Sequence, residues 1–457
     1  MTLLAGTYKL DWHIQSPKAL AFTRNPSDTD VSPATYTADG SSDLLIVDQQ
    51  RDIAIDGSDA ADSVIISTDA LAASALYDYN VRGFAGNDTY TVNASLIQNS
   101  VFNGNVGNDT MTIGDRVNTT NFNGSFFLGG KGDDTVRAFD VSNGEVNGNI
   151  GDDTIRVNNT FAEGFNQYVG GGQGNDRITV QGDFTNSIID GNKGKDTVDV
   201  LAGDHDGTVV NGGEGDDVLR SESVGGAKGL NINGDLGNDT IVVAGIYGAD
   251  VTGGEGSDTI LSGSIAGQDS TIDAGVGNDT IILANGAALA NSTETIVFDS
   301  GDSVAASATS FAGAAGPGSV IAAGDTITFG NGVDFLGAFG PGTDVIDIDF
   351  TPGNTPAQGV IDLGPGGTGA TLIDTLEAGV IYEVYGFYSN NDGRKGGVFT
   401  AATEAAAFTG GVSNVTAAGT GSALYIVGGE NNSLGTVFES SSNMFITNQD
   451  LSLSSFV

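Results

Sequence analysis

The residues of this 457-residue chain best placed to do chemistry are aspartates set on a repeat. An Asp standing two residues after a Gly recurs at Asp88, Asp109, Asp134, Asp153, Asp176, Asp196, Asp217, Asp239, Asp258 and Asp279, at intervals of 19 to 25 residues that average about 21. The Gly is Gly86 in the first copy, then Gly107, Gly132, Gly151, Gly174, Gly194, Gly215, Gly237, Gly256 and Gly277. Five residues before the Asp stands another Gly in nine copies, Ala274 being the exception. Four before it stands Gly, Asn or Asp, except for Phe84 in the first copy. Those three residue types tolerate positive φ, so the position is expected there, and Phe84 predicts a distorted first loop.

A tight Gly-X-Gly-X-Asp turn exposes backbone carbonyls and adds a carboxylate, the donor set of a hard cation. Ca²⁺ takes about 6–8 such oxygens at ~2.3–2.6 Å. One loop offers too few, but a second loop stacked on it would supply the rest. The ion would then neutralise carboxylates that otherwise sit ~5 Å apart. The expected ligands are the ten aspartates with the carbonyls around Gly107, Gly132, Gly151, Gly174, Gly194, Gly215, Gly237, Gly256 and Gly277, in a row of calcium ions along one edge. Lys195, where other copies carry Asn, Asp or Ser, is expected to weaken its site. The competing reading of each Asp is a turn-capping carboxylate without metal.

The elements that must position these loops follow from what comes after each Asp. Two residues on, the chain is apolar in every copy: Tyr90, Met111, Val136, Ile155, Ile178, Val198, Leu219, Ile241, Ile260 and Ile281. Most copies place another apolar residue two further, the alternation of a half-buried strand. A second short strand precedes the next loop, as in Val101-Phe102-Asn103-Gly104. Such a unit cannot bury its apolar face alone, whereas parallel stacking of units buries a continuous core. The expected fold is therefore all-β, a single-chain parallel β-solenoid over residues 41–350 with about 21 residues per coil. Weaker copies extend it at Asp43 and Asp62 on one side and at Asp302, Asp325 and Asp344 on the other, keeping strands without the Gly pattern.

The runs Gly129-Gly130-Lys131-Gly132-Asp133-Asp134-Thr135-Val136 and Gly212-Gly213-Glu214-Gly215-Asp216-Asp217-Val218-Leu219 resemble the nonapeptide of the repeats-in-toxin (RTX) family. So does Gly253-Gly254-Glu255-Gly256-Ser257-Asp258-Thr259-Ile260. That resemblance implies a calcium-bound β-roll, type I secretion without a cleaved N-terminal signal, and folding on meeting extracellular calcium. The family's roll carries its motif every nine residues and so metal on both edges. A 21-residue spacing predicts one metal-free edge.

Composition limits what the rest can do. With 58 acidic against 16 basic residues, a formal net charge of −42, the chain is expected to bind neither nucleic acid nor an anionic membrane by electrostatics. No apolar run approaches the ~20 residues of a membrane span, so no membrane insertion is expected. Cations between coils would relieve that self-repulsion; a solvated acidic surface is the other explanation. There is no Cys, so no disulfide frame or thiol nucleophile. No His-Glu-X-X-His or Gly-X-Ser-X-Gly motif is present, and the two histidines, His13 and His205, read as bland, His205 as a surface turn residue. Asn-Asp-Thr at Asn87, Asn108, Asn238 and Asn278 matches a glycosylation sequon, but the turn already explains those residues. Residues 1–40 read as a cap or docking segment over the open end of the solenoid. Residues 351–457 read as a small β-rich domain whose aromatics are core or subunit packing in preference to a glycan platform.

The expectation is thus a non-catalytic extracellular protein, a surface-layer or cell-surface fibre subunit, that partners with itself and with cell-surface glycan. A virion appendage, or an adhesin acting through the C-terminal domain, are the alternatives.

Overall fold

The computed structural model describes most of residues 51–283, with gaps at 58, 68–74, 95, 115–120, 202, 223–228, 245–247, 263–269 and 278; outside that span it describes mainly single strands. The protein is all-β, with parallel sheets stacked into a β-solenoid. The chain divides into two compact units, Met1–Leu230 and Asn231–Val457.

In the first unit one sheet collects the strands that follow each Asp: Ser63–Ser67, Thr89–Asn93, Thr110–Ile113, Thr135–Phe139, Thr154–Phe165, Arg177–Thr185, Thr197–Val200 and Val218–Glu222. All pair in parallel, and the register puts Tyr90, Met111, Val136, Ile155, Ile178, Val198 and Leu219 in one inward column. A second sheet collects the strands that precede each Asp, from Ala75–Arg82 through Val101–Val106, Phe126–Lys131, Glu145–Ile150, Tyr168–Gln173 and Ile188–Lys193 to Val209–Glu214. Its inward column is Val81, Phe102, Phe127, Val146, Val169, Ile189 and Val210, and both columns are buried. Burying each such side chain is worth ~1.5–3 kcal/mol, so the two columns facing each other are the core. Phe102 stacks on Phe127 with ring centres 5.3 Å apart.

Irregular repeat lengths are absorbed between these strands. The 23-residue step from Asp153 to Asp176 is taken up by a register shift between Asn159 and Gly164. Parallel pairing continues on the N-terminal side through Leu44–Asp48 and Arg51–Asp56 to Ala19–Thr23 and Ala34–Thr37.

In the second unit the strands after Asp239, Asp258 and Asp279, namely Thr240–Ala244, Thr259–Ser262 and Thr280–Leu283, stack in parallel. The preceding strands do likewise, and the stack runs on through Glu294–Phe298 to Val345–Ile348. Asp43, Asp302, Asp325 and Asp344 lie outside the described residues, as do His13 and most of residues 1–40. Thr326–Phe329 departs from the expected coil: it pairs antiparallel with Ser310–Ala312 and Gly397–Ala401. Without the glycine bend nothing there forces the chain into the same winding sense. Val380–Ser389, Gly421–Val427 and Met444–Thr447 form an antiparallel run, and Met444–Thr447 pairs in parallel with Asp334–Gly337. Tyr382, Tyr385 and Tyr425 are buried, so these aromatics pack the interior as the sequence suggests.

His205 contradicts its sequence reading as a surface residue. It is fully buried, with Nε2 3.0 Å from the carbonyl of Leu201 and its ring beside Phe184, and burial lowers its pKa. The acidic neighbours that suggested exposure point outward while the imidazole fills the coil.

Candidate metal site at the aspartate bend

The bends are held to the coils on either side by three kinds of bond. The amide after the Asp donates to the carbonyl of the Asp one coil earlier, as Thr154 does to Asp134 at 2.8 Å. The amide of the Gly two residues before the Asp donates to the next coil, as Gly151 does to the Gln173 carbonyl at 2.8 Å. The amide of the Asp itself donates to Oδ1 of the Asp one coil later. This side-chain ladder runs Asp62, Asp88, Asp109, Asp134, Asp153, Asp176, Asp196, Asp217 at 2.6–2.7 Å. In the second unit it runs Asp239, Asp258, Asp279 at 2.7 Å.

The ten aspartates therefore face into the bend, none more than 2 % exposed. Oδ1 is satisfied by the ladder. Oδ2 of Asp109, Asp134, Asp153, Asp176 and Asp196 has no hydrogen-bond partner although it is buried. At Asp88 the buried hydroxyl of Tyr90 lies beside the same oxygen. An unsatisfied buried carboxylate oxygen is costly, and the file repeats it coil after coil.

The glycines shape the space around Oδ2. A Cβ placed on Gly104, Gly129, Gly148, Gly171 or Gly191, five residues before the Asp, would lie no more than 2.6 Å from Oδ2 of its own coil's Asp. It would also lie no more than 2.8 Å from the carbonyl oxygen of the matching Gly one coil on. The glycine leaves a cradle where carboxylate and carbonyl oxygens from adjacent coils meet. Gly107, Gly132, Gly151, Gly174, Gly194 and Gly215 adopt φ between +126° and +143°, a conformation that disfavours a side chain, and so line a second column of stacked backbone.

Burial dominates the electrostatics. It pushes Asp88 and Asp176 up to about 7, Asp109 and Asp153 to about 6, and Asp134 and Asp196 to about 8; the ladder hydrogen bond opposes this at each. Neighbouring carboxylates of the file add to the rise at Asp88, Asp134, Asp176 and Asp196. Near neutral pH such a row must either hold protons or be neutralised by cations. Among the described residues no three His, Cys, Asp or Glu side chains converge. A metal in the cradle would therefore rest on few carboxylates and on carbonyls, an all-oxygen set that suits a hard ion such as Ca²⁺ and not a soft one.

The position four before the Asp holds the expected positive φ at Asn105, Gly130, Asn149, Gly172, Asn192, Gly213, Asp235, Gly254 and Gly275. Phe84 corrects the expectation of a distorted first loop: it takes φ 75° like its counterparts. The stack dictates the backbone and Phe84 bears the strain, of order 1–2 kcal/mol. Its exposed ring lies under the Arg82 guanidinium, 5.6 Å from the ring centre. Lys195 points outward, and its amide donates to Oδ1 of Asn175. It closes a second, outer ladder that runs in the opposite direction through Asn87, Asn108, Asp133, Asp152 and Asn175. The sequon-like asparagines Asn87, Asn108 and Asn238 are thus ladder acceptors, and Asn278 lies outside the described residues.

A second corner, which the sequence reading missed, carries hydroxyls in place of the aspartates. Amides of Tyr79, Ser100 and Gln167 donate to Oγ of Ser100, Ser125 and Ser187 one coil later, at 3.1–3.2 Å. A left-handed Asn or Gly precedes each hydroxyl: Asn99, Gly124 and Asn186. The signal was available as Asn99-Ser100-Val101 and Asn186-Ser187-Ile188, a short turn-plus-hydroxyl pattern overshadowed by the glycine repeat.

Fold and bend together define a parallel β-solenoid with one corner lined by carboxylates and another by hydroxyls. No protein-family model matches the chain, and neither a curated protein nor a solved structure matches it. Among the described residues no helix is long and apolar enough to cross a membrane.

Proposed function

We propose that this is a non-catalytic, calcium-dependent extracellular structural protein, a surface-layer or cell-surface fibre subunit that assembles with copies of itself. The observation that carries the reading is the file of buried Oδ2 atoms without partners at Asp109, Asp134, Asp153, Asp176 and Asp196. Those aspartates, with the carbonyls of Gly129, Gly148, Gly171, Gly191 and Gly212 one coil on in place of the glycines two before each Asp that the sequence pointed to, would hold the ions; Asp88, Asp217, Asp239, Asp258 and Asp279 occupy the same place in their coils. Bound calcium would supply positive charge between coils and cross-link them. The chain's own contribution is to preorganise the oxygens through the Oδ1 ladder and to exclude solvent from the bend.

Calcium is scarce in the cytosol and plentiful outside cells, so such a solenoid would be soft during export and stiff after it. The resemblance to repeats-in-toxin sequences supports the same order of events, with type I secretion. A structural role accords with repeats that fill most of the chain and a sequence without a catalytic motif.

Electron microscopy of the purified full-length chain with millimolar Ca²⁺ and with EGTA tests the proposal. Sheets or filaments that dissolve in chelator are expected; monomers in both conditions would sink the assembly reading. Circular dichroism on the same samples separates the parts. A cooperative loss of β signal in EGTA supports the cation file, and an unchanged spectrum and melt would remove it.

A further inference from the structure

The outer face of the second sheet carries a site unrelated to the aspartates. Phe126, Glu145, Tyr168 and Ile188 are direct register partners on successive strands, so they form one column at the strand spacing of ~4.8 Å. Phe126 and Ile188 are among the few large apolar side chains exposed in the described residues, at 42 % and 44 %. Around them lies an open depression of about 420 Å³, rimmed by the turn residues Asn143 and Asn166. Its size falls within the ~300–1,000 Å³ range of small-molecule sites.

The platform in this depression is built. The Tyr168 ring lies down along its own strand over Gly170, where a Cβ would meet ring carbons at 2.6 and 2.9 Å. At the register-equivalent position the neighbouring strands carry Asn103, Leu128, Asn147, Asp190 and Asn211; only Gly170 lets a ring settle there. The Asn192 amide then holds the phenol, with Nδ2 and Oδ1 at 3.1 and 3.3 Å from the hydroxyl. Polar groups at the edge are also set: Asn147 Nδ2 donates to Glu145 Oε1 at 3.2 Å, and Asn166 Nδ2 donates to Asn143 Oδ1 at 3.1 Å. A flat aromatic face pinned in advance, ringed by amides and a carboxylate, complements a molecule with an apolar face and hydroxyls round its rim. A pyranose has that form. The chain's charge of −42 and Glu145 in the column turn away acidic sugars.

We propose that Phe126, Tyr168 and their polar rim bind the pyranose rings of a neutral glycan laid along the coils. Phe126, Glu145 and Tyr168 lie outside the aspartate bend, and Asn192, four residues before Asp196, meets the site only through the Tyr168 hydroxyl, so the site is tested separately from calcium binding and assembly.

Calorimetric titration of the full-length chain with soluble oligosaccharides of glucose, mannose and galactose tests it, with a uronate oligomer as control. A neutral oligosaccharide is expected to bind and the uronate not to. Tyr168→Ala should weaken binding about tenfold or more. Gly170→Ala, which keeps the phenol but lifts it from the sheet, should weaken it similarly with the circular dichroism of the parent. Asn192→Gly, which keeps the left-handed backbone that Gly172 and Gly213 adopt at this position in the neighbouring coils and frees the hydroxyl, should give a smaller loss and serves if either of the others misfolds. Failure of all three neutral sugars to bind, equal binding of the uronate, or undiminished binding by the folded variants would each overturn the proposal.

Discussion

The backbone amide of Asp153 donates to Oδ1 of Asp176, 23 residues later in sequence but one coil away in space, at 2.7 Å. Asp176 does the same to Asp196 at 2.6 Å, so each aspartate is donor to the coil after it and acceptor for the coil before it. A chain of bonds of this kind polarises along its length, and no member can be changed without touching two coils.

Asp153→Asn separates the ladder from the charge. The amide keeps an oxygen for the Asp134 amide and removes the charge from the buried position where Oδ2 had no partner. In EGTA the variant should be more stable than the parent, by ~1–2 kcal/mol, because a buried unpaired charge is gone. In calcium it should be less stable. Thermal melts of both proteins in both conditions check this; a variant that is less stable in both would show that the carboxylate is not a liability when metal-free.

Gly148→Ala fills the cradle. Its Cβ would run into Oδ2 of Asp153 and the carbonyl of Gly171, both rigidly held. Overpacking of this kind costs ~1–3 kcal/mol, read by denaturant unfolding, and the calcium dependence of stability should shrink with it. If stability fell but its calcium dependence did not, the cradle would not be where the ion sits.

The file sets a pH dependence in the absence of metal. Burial raises Asp134 and Asp196 to about 8 and Asp109 and Asp153 to about 6 in the folded chain, above the 3.8 of an unfolded aspartate. The folded state then binds more protons than the unfolded one. Stability from this source is complete below the unfolded value and is lost as pH rises through about 6 to 8. Melts in EGTA should be higher at pH 5 than at pH 8, and calcium should restore the loss at pH 8. A melt in EGTA that rises between pH 5 and pH 8 would contradict the assignment.

The hydroxyl corner provides the contrast. Ser187→Ala removes the acceptor of the Gln167 amide, a neutral bond at 3.1 Å. The expected cost is ~1 kcal/mol, equal in calcium and in EGTA, measured by the same unfolding curves. A calcium-dependent cost would mean that the two corners are coupled.

Much of this was legible from residue types and spacing. A Gly at −2 and Gly, Asn or Asp at −4 fix where the backbone must bend, because only those residues enter the left-handed region cheaply. Alternation after each Asp fixes which side chains are inward, and a period of about 21 fixes that the coils stack. His205 and Phe84 show the other side. A single polar residue in an acidic turn reads as exposed, and a single phenylalanine reads as a defect, because neither has a periodic pattern to say what its neighbours impose.

What residue order determined by itself, then, is local and repetitive: bends, strands, their inward faces and the parallel stack that a short two-strand unit needs to bury its core. Only the tertiary structure decided where each carboxylate points, that Oδ1 is consumed by the neighbouring coil while Oδ2 is left in a glycine cradle, and that Tyr168 lies over Gly170. The reason is distance: those contacts join residues about twenty positions apart or depend on an atom that a glycine lacks, and they exist only once adjacent coils come within hydrogen-bonding reach.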